Sequence, residues 1–125
     1  MTDDPLARLR AICLALPEAT ERNSHGEPAW FAGTGRQFVC FADHHHDDRL
    51  AFWCAAPPGQ QQAMLAEDAE QFFVPPYVGV RGWLGVRLDV PTDWQLMAEL
   101  VEDAYRQVAA RRLVAALDAA RRPEA

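Results

Sequence analysis

FFVPPYVGVRGWLGVRLD, residues 72 to 89, combines the densest aromatic and glycine usage in the chain with a strand pattern at its end. Pro75 and Pro76 remove two backbone donors and fix φ. A strand entering at Phe72 and Phe73 therefore has no place in a central ladder beyond Val74, and the chain must turn out. Gly79, Gly82 and Gly85 recur at every third position and permit backbone conformations closed to residues with a Cβ, leaving Tyr77, Arg81 and Trp83 on a tight aromatic loop. From Leu84 the pattern alternates strictly. Leu84, Val86, Leu88 and Val90 share one face and Gly85, Arg87 and Asp89 the other, as in a half-buried strand.

Upstream, RQFVCFA (36–42) and RLAFWC (49–54) flank DHHHDD and predict an antiparallel pair. With Ala42 opposite Arg49, one face carries Val39, Phe41, Leu50 and Phe52, and the other Phe38, Cys40, Ala51 and Trp53. Both faces are apolar. Helices are expected over one of them, which leaves the Phe38 and Trp53 side as a second packing layer or a partly open pocket. This register sends Cys40 and Cys54 to opposite faces, against a disulfide. Before this pair, Thr20 to Asn23 and Ala29 to Ala32 read as strands joined at His25-Gly26, with Gly33 and Gly35 in the next turn.

The helices complete the pattern. Asp3 and Asp4 before Pro5, with Leu6, Leu9, Ile12, Cys13 and Leu16 at helical spacing, predict a first helix over about Pro5–Ala15. Pro57-Pro58-Gly59 precedes a short helix, Gln60–Glu67, with Met64 and Leu65 turned inward. A strand follows over Glu70–Val74. Pro91-Thr92-Asp93 caps a last helix whose stripe Leu96, Met97, Leu100, Val101, Ala104, Tyr105, Val108, Leu113 and Leu117 implies one element of about six turns. The expected fold is α+β, an antiparallel sheet of about five to six strands packed by N- and C-terminal helices. At 125 residues, a single domain over 1–125 is expected.

Charge limits the partners. All twelve basic residues are arginine against eighteen acids, for a net charge of -6. Residues 105–125 hold five arginines against two acids, so only the C-terminal end is set to attract a polyanion. The apolar runs fall far short of the ~20 residues that span a bilayer, so no membrane association is expected. The first residues, MTDDPLARLR, lack the basic-then-apolar order of a secretory signal, which points to the cytoplasm and to free thiols.

The order of elements, with SHGEPAW at 24–30, the 72–89 stretch and DAYRQVA at 103–109, resembles the MmcQ/YjbR family over nearly the whole chain. The resemblance implies an α+β fold of frataxin-like arrangement and a DNA-binding role. Two departures stand out. Trp53 and Cys54 occupy a strand end where many relatives carry lysine, and Ala104-Tyr105 stands where Ser-Tyr is frequent.

Among the candidate chemistries, His44, His45 and His46 between Asp43, Asp47 and Asp48 offer ligands that suit zinc, nickel or copper. Consecutive residues alternate sides, so a solvated hairpin tip is the expected reading and no metal or other cofactor is expected. Glycines that precede a strand make no dinucleotide or phosphate-binding motif. No nucleophile, base and orienting group come together, so no enzymatic activity is expected. Two binding readings remain. DNA would use Arg111, Arg112, Arg121 and Arg122 weakly and electrostatically, although the tip DHHHDD brings carboxylates toward a polyanion. Alternatively, Phe38, Trp53, Tyr77, Arg81 and Trp83 form a surface for a small anionic ligand or a protein partner. In that reading Arg81 either faces the ligand or braces its loop against an internal carboxylate.

Overall fold

The computed structural model describes residues 4–44 and 49–121. Six strands, β1 (Ala19–Ser24), β2 (Glu27–Ala32), β3 (Gln37–Asp43), β4 (Leu50–Cys54), β5 (Phe72–Phe73) and β6 (Leu84–Arg87), form one antiparallel sheet in the order β1-β2-β3-β4-β6-β5. Four helices accompany them: α1 (Pro5–Leu14), α2 (Gln60–Glu67), α3 (Trp94–Val108) and α4 (Arg111–Arg121). No helix among the described residues is long and apolar enough to cross a membrane.

The local signals operate as expected. Asp4 caps α1 by accepting the Leu6 N–H at 3.1 Å, and Asp93 caps α3 by accepting the Gln95 and Leu96 N–H groups. His25 and Gly26 both take positive φ, 54° and 85°, the backbone of a two-residue turn whose twist matches the flanking strands. Pro75 and Pro76 end β5 after two residues. The chain then returns to insert β6 between β5 and β4, so the 72–89 stretch is the connection that brings β6 into the interior of the sheet.

Each face of the sheet is read from the ladder. Trp30, Val39, Cys54 and Leu84 lie across from one another in succession, as do Phe41, Phe52, Val86 and Phe72. This face meets α1 and α3, whose Leu9, Cys13, Met97, Leu100, Val101, Ala104 and Tyr105 are buried against it. At its end Glu21 accepts hydrogen bonds from Arg10 of α1 and from the Trp30 indole, at 2.8 and 2.9 Å. The opposite face carries Cys40, Trp53, Gly85 and Phe73 in succession.

Three expectations are corrected. First, Ala42 pairs with Ala51, not Arg49, because the ladder extends to Asp43 opposite Leu50 and His44 N–H reaches the Arg49 carbonyl at 2.8 Å. The slip is two residues, so the side chains from Val39 to Phe41 and from Leu50 to Trp53 keep their expected faces. Second, Phe38 leaves the Trp53 side. The β2–β3 register shifts between Trp30 and Phe31, a bulge that turns Phe38 toward α3, where its ring meets Tyr105 edge-on at 5.4 Å. Third, the last helix is two helices. In a continuous helix Leu113 and Leu117 would be rotated away from the Met97–Val101 stripe. The chain instead extends at Ala109 (ψ 145°), and α4 folds back so that both leucines are buried.

Acid should weaken the fold in a defined direction. The hydrogen bond from Arg10, helped by that from Trp30, holds the Glu21 carboxyl below its ordinary 4.5. Arg112 likewise holds Glu18 below 4.5, and Arg87 holds Asp89 below its ordinary 3.8. A folded-state value below the unfolded one contributes stability that is present above 4.5 and lost as the pH falls through the folded value. Urea midpoints measured down an acid series should therefore fall below 4.5, with a smaller fall in Glu21→Gln, which has no charge there to lose.

Candidate functional site

The open face of the sheet, the 74–83 loop and the end of α3 enclose a cavity of about 1060 Å³. Its wall is built from the strands outward. Trp53 stands between Cys40 and Gly85 on the ladder, two small neighbours that leave room for an indole. Gly85 is small for a second reason, since a Cβ there would lie 2.5 Å from the Phe73 ring, which crosses it under the Arg49 guanidinium. Gly82 takes φ 87° and so allows the chain to leave the 3-10 turn Gly79–Arg81 and enter β6 through Trp83.

The loop is held from beneath by a residue that sequence reading passes over. Gln61 of α2 is buried, and its amide donates to the Trp83 carbonyl at 2.6 Å and to the Gly79 carbonyl at 3.0 Å. Three glutamines in a row follow Gly59, and nothing in that run marks the second as the buried one. Its neighbour Gln60 ties α2 to α3 through Asp103 at 3.0 Å. Met64 and Leu65, expected inward, are only half-buried.

Trp53, Tyr77, Arg81 and Trp83 all line this one cavity, and Phe38 does not. Both tryptophans are 7% exposed, whereas Tyr77 is 75% exposed and takes φ 65° in the left-handed region. Such backbone is unfavourable for an aromatic residue and tends to collect at functional loops. Arg81 lies over Trp83, 5.5 Å from the ring centroid, and its guanidinium has no carboxylate partner among the described residues. The loop therefore has no internal ion pair at Arg81 within that set. His25, Glu27 and Arg36 of the first two hairpins and Gln107 of α3 also line the cavity. Burial pushes the Cys40 thiol on its wall up to about 12, against weaker opposing hydrogen bonds from Trp53 and Gln37, and so keeps it protonated at neutral pH.

The arginines expected to meet nucleic acid are placed differently. Arg112 makes a two-pronged contact with Glu18 at 2.7 and 3.2 Å, and Arg121 reaches Glu102 at 2.6 Å. Arg111 is exposed at the start of α4, and Arg122 lies outside the described residues. So do His45, His46, Asp47 and Asp48 of the histidine run. Among the described residues no group of three or more His, Cys, Asp or Glu is placed to hold a metal ion.

A solved structure, that of the Deinococcus radiodurans protein DR2400 with its DUF419 domain, is similar in fold at a TM-score of 0.66. It is 17% identical, and the match covers 80% of this chain and 75% of that one. No curated protein matches the chain. The YjbR family model matches residues 14–107, a span that holds the whole sheet, the 72–89 stretch and nearly all of the cavity wall but none of α4. This chain belongs to the YjbR family.

Proposed function

We propose that this protein is a non-catalytic binding module that takes a small organic ligand in the cavity between the open sheet face and the 74–83 loop. The observation that carries the reading is the cavity itself, about 1060 Å³ with two nearly buried tryptophans in its wall and a strained, exposed tyrosine at its rim. Pockets for compact ligands run to ~1,000 Å³ and combine apolar walls with a few directed polar groups. The exposed Val74 and Val80 extend the apolar surface along the same loop.

The DNA-binding role implied by the family resemblance has less support. Two of the arginines it would use are closed on Glu18 and Glu102, so phosphate would have to displace a carboxylate at each. The chain also carries a net charge of -6, and phosphate contacts supply most non-specific affinity.

A labelled mixed-sequence duplex and a small-molecule screen, run on the same protein, test this reading. The expected result is saturable small-molecule binding and, for the duplex, no more than weak binding. A duplex affinity that falls steeply with salt, and whose salt dependence is flattened by replacing Arg111, Arg112, Arg121 and Arg122 with Ala, would overturn it. Arg81→Ala separates a ligand-facing arginine from a bracing one. Its unfolding free energy should stay within about 0.5 kcal/mol of wild type, as usual at surface positions, while anion binding weakens.

A further inference from the structure

We infer that the ligand is a compact planar aromatic acid, its anionic group held by the guanidiniums of Arg36 and Arg81 and its ring set against Trp53 and Trp83. This inference rests on the binding reading above and adds the chemical class.

The distribution of arginine partners supports it. Arg10, Arg87, Arg106, Arg112 and Arg121 each bond a carboxylate of the chain. Arg36 and Arg81 both line the cavity, both are exposed, and among the described residues neither guanidinium has a hydrogen-bond or carboxylate partner. Arg8, Arg22 and Arg111 also show no carboxylate partner among the described residues, but none of them lines this cavity, whereas Arg36 and Arg81 both do and keep their donors open toward it. The cation–π contact of Arg81 with Trp83 uses none of the guanidinium N–H donors, the groups that meet a carboxylate or phosphate two-pronged. Among the described residues the one carboxylate lining the same cavity is Glu27, whose Oε2 accepts the Asp43 N–H at 2.8 Å. The ring requirement follows from the aromatic side chains among the lining residues, Trp53, Tyr77 and Trp83, which favour stacked or edge-on contact with another ring.

Because the net charge repels anions at a distance, recognition must be local, and affinity should depend on these two side chains more than on ionic strength. Carboxylates and phosphates share this chemistry, and paired probes tell them apart.

The test is calorimetric titration of the full chain with phenyl, indolyl and naphthyl carboxylates, the corresponding amides, and naphthyl phosphate. At least one acid should bind, with its amide weaker by about tenfold or more, and Arg36→Ala and Arg81→Ala should each cost the acid about tenfold without changing the amide. Tighter binding of naphthyl phosphate than of the naphthyl carboxylate would assign the anion as phosphate, and the reverse as carboxylate. Equal binding of acids and amides, or acid binding indifferent to either arginine, would overturn the inference and leave the cavity a site for uncharged rings. Failure of every probe to bind would overturn it together with the binding reading. Circular dichroism of both variants should match wild type, because both side chains are exposed.

Discussion

Leu100→Ala should lower the free energy of unfolding by about 2–5 kcal/mol, the range for a large-to-small change that leaves a cavity in a packed core. Leu100 is 2% exposed and lies on the α3 stripe with Met97, Val101 and Ala104, all buried against the helix-covered face of the sheet. The loss has two parts: apolar area returned to water, and contacts forfeited by neighbours too tightly held to collapse into the gap. Urea unfolding should show a lower midpoint at an unchanged slope. Glu99→Ala, one position along and exposed, should move the midpoint by less than about 0.5 kcal/mol. Equal effects at the two positions would mean that α3 presents a different side to the sheet.

Gln61→Leu should cost about 1–3 kcal/mol, the penalty for taking a donor from a buried acceptor while keeping roughly the same volume. The Gly79 carbonyl keeps the Gly82 N–H at 3.0 Å, so most of the loss falls on the Trp83 carbonyl, which loses its 2.6 Å partner. The expected signature is local as well as global. Amides of residues 78–83 should exchange faster by more than the global destabilisation explains, because α2 no longer holds the loop. Ligand affinity should fall with them, since Trp83 and Arg81 stand on that loop. A destabilised variant whose loop exchange merely follows the rest of the chain would show that the loop is held by its own backbone bonds.

Much of this architecture was legible in the residues. Asp4-Pro5, His25-Gly26 and Asp93 each mark a boundary by a local rule that tertiary context does not override, and the alternation from Leu84 gives the faces of β6 correctly. From Val39 onward the alternation gives the faces of β3 and β4 although the pairing differs by two residues, because a side-chain period of two forgives an even slip. Other features are set by distant contacts. The bulge that removes Phe38 from the cavity depends on how Trp30 and Phe31 pair with β3, and nothing within QFVCFA announces it. The break between α3 and α4 falls at Ala109-Ala110, where neither proline nor glycine marks a stop. It exists because Leu113 and Leu117 find the core only if the chain turns.

The candidate site divides in the same way. Tyr77, Arg81 and Trp83 are close in sequence, and the proline pair and glycines keep them close in space. Trp53 joins them because β6 lies beside β4. Nothing in the sequence marks Arg36, since only the assembled sheet brings the turn before β3 to the same cavity as the 74–83 loop. The paired state of Arg112 was equally hidden, because Glu18 lies 94 residues away in the chain.

The four tryptophan indole N–H signals, followed by NMR while the tightest-binding compound of the screen is titrated in, test the central claim most directly. Trp53 and Trp83 line the cavity, whereas Trp30 is buried on the helix face with its indole bonded to Glu21, and Trp94 lies under Arg8 beside α1. A ligand in the cavity should move the Trp53 and Trp83 signals together and saturably, and leave Trp30 in place. Binding that leaves Trp53 and Trp83 unmoved, with backbone shifts gathered instead along α4, would contradict the account.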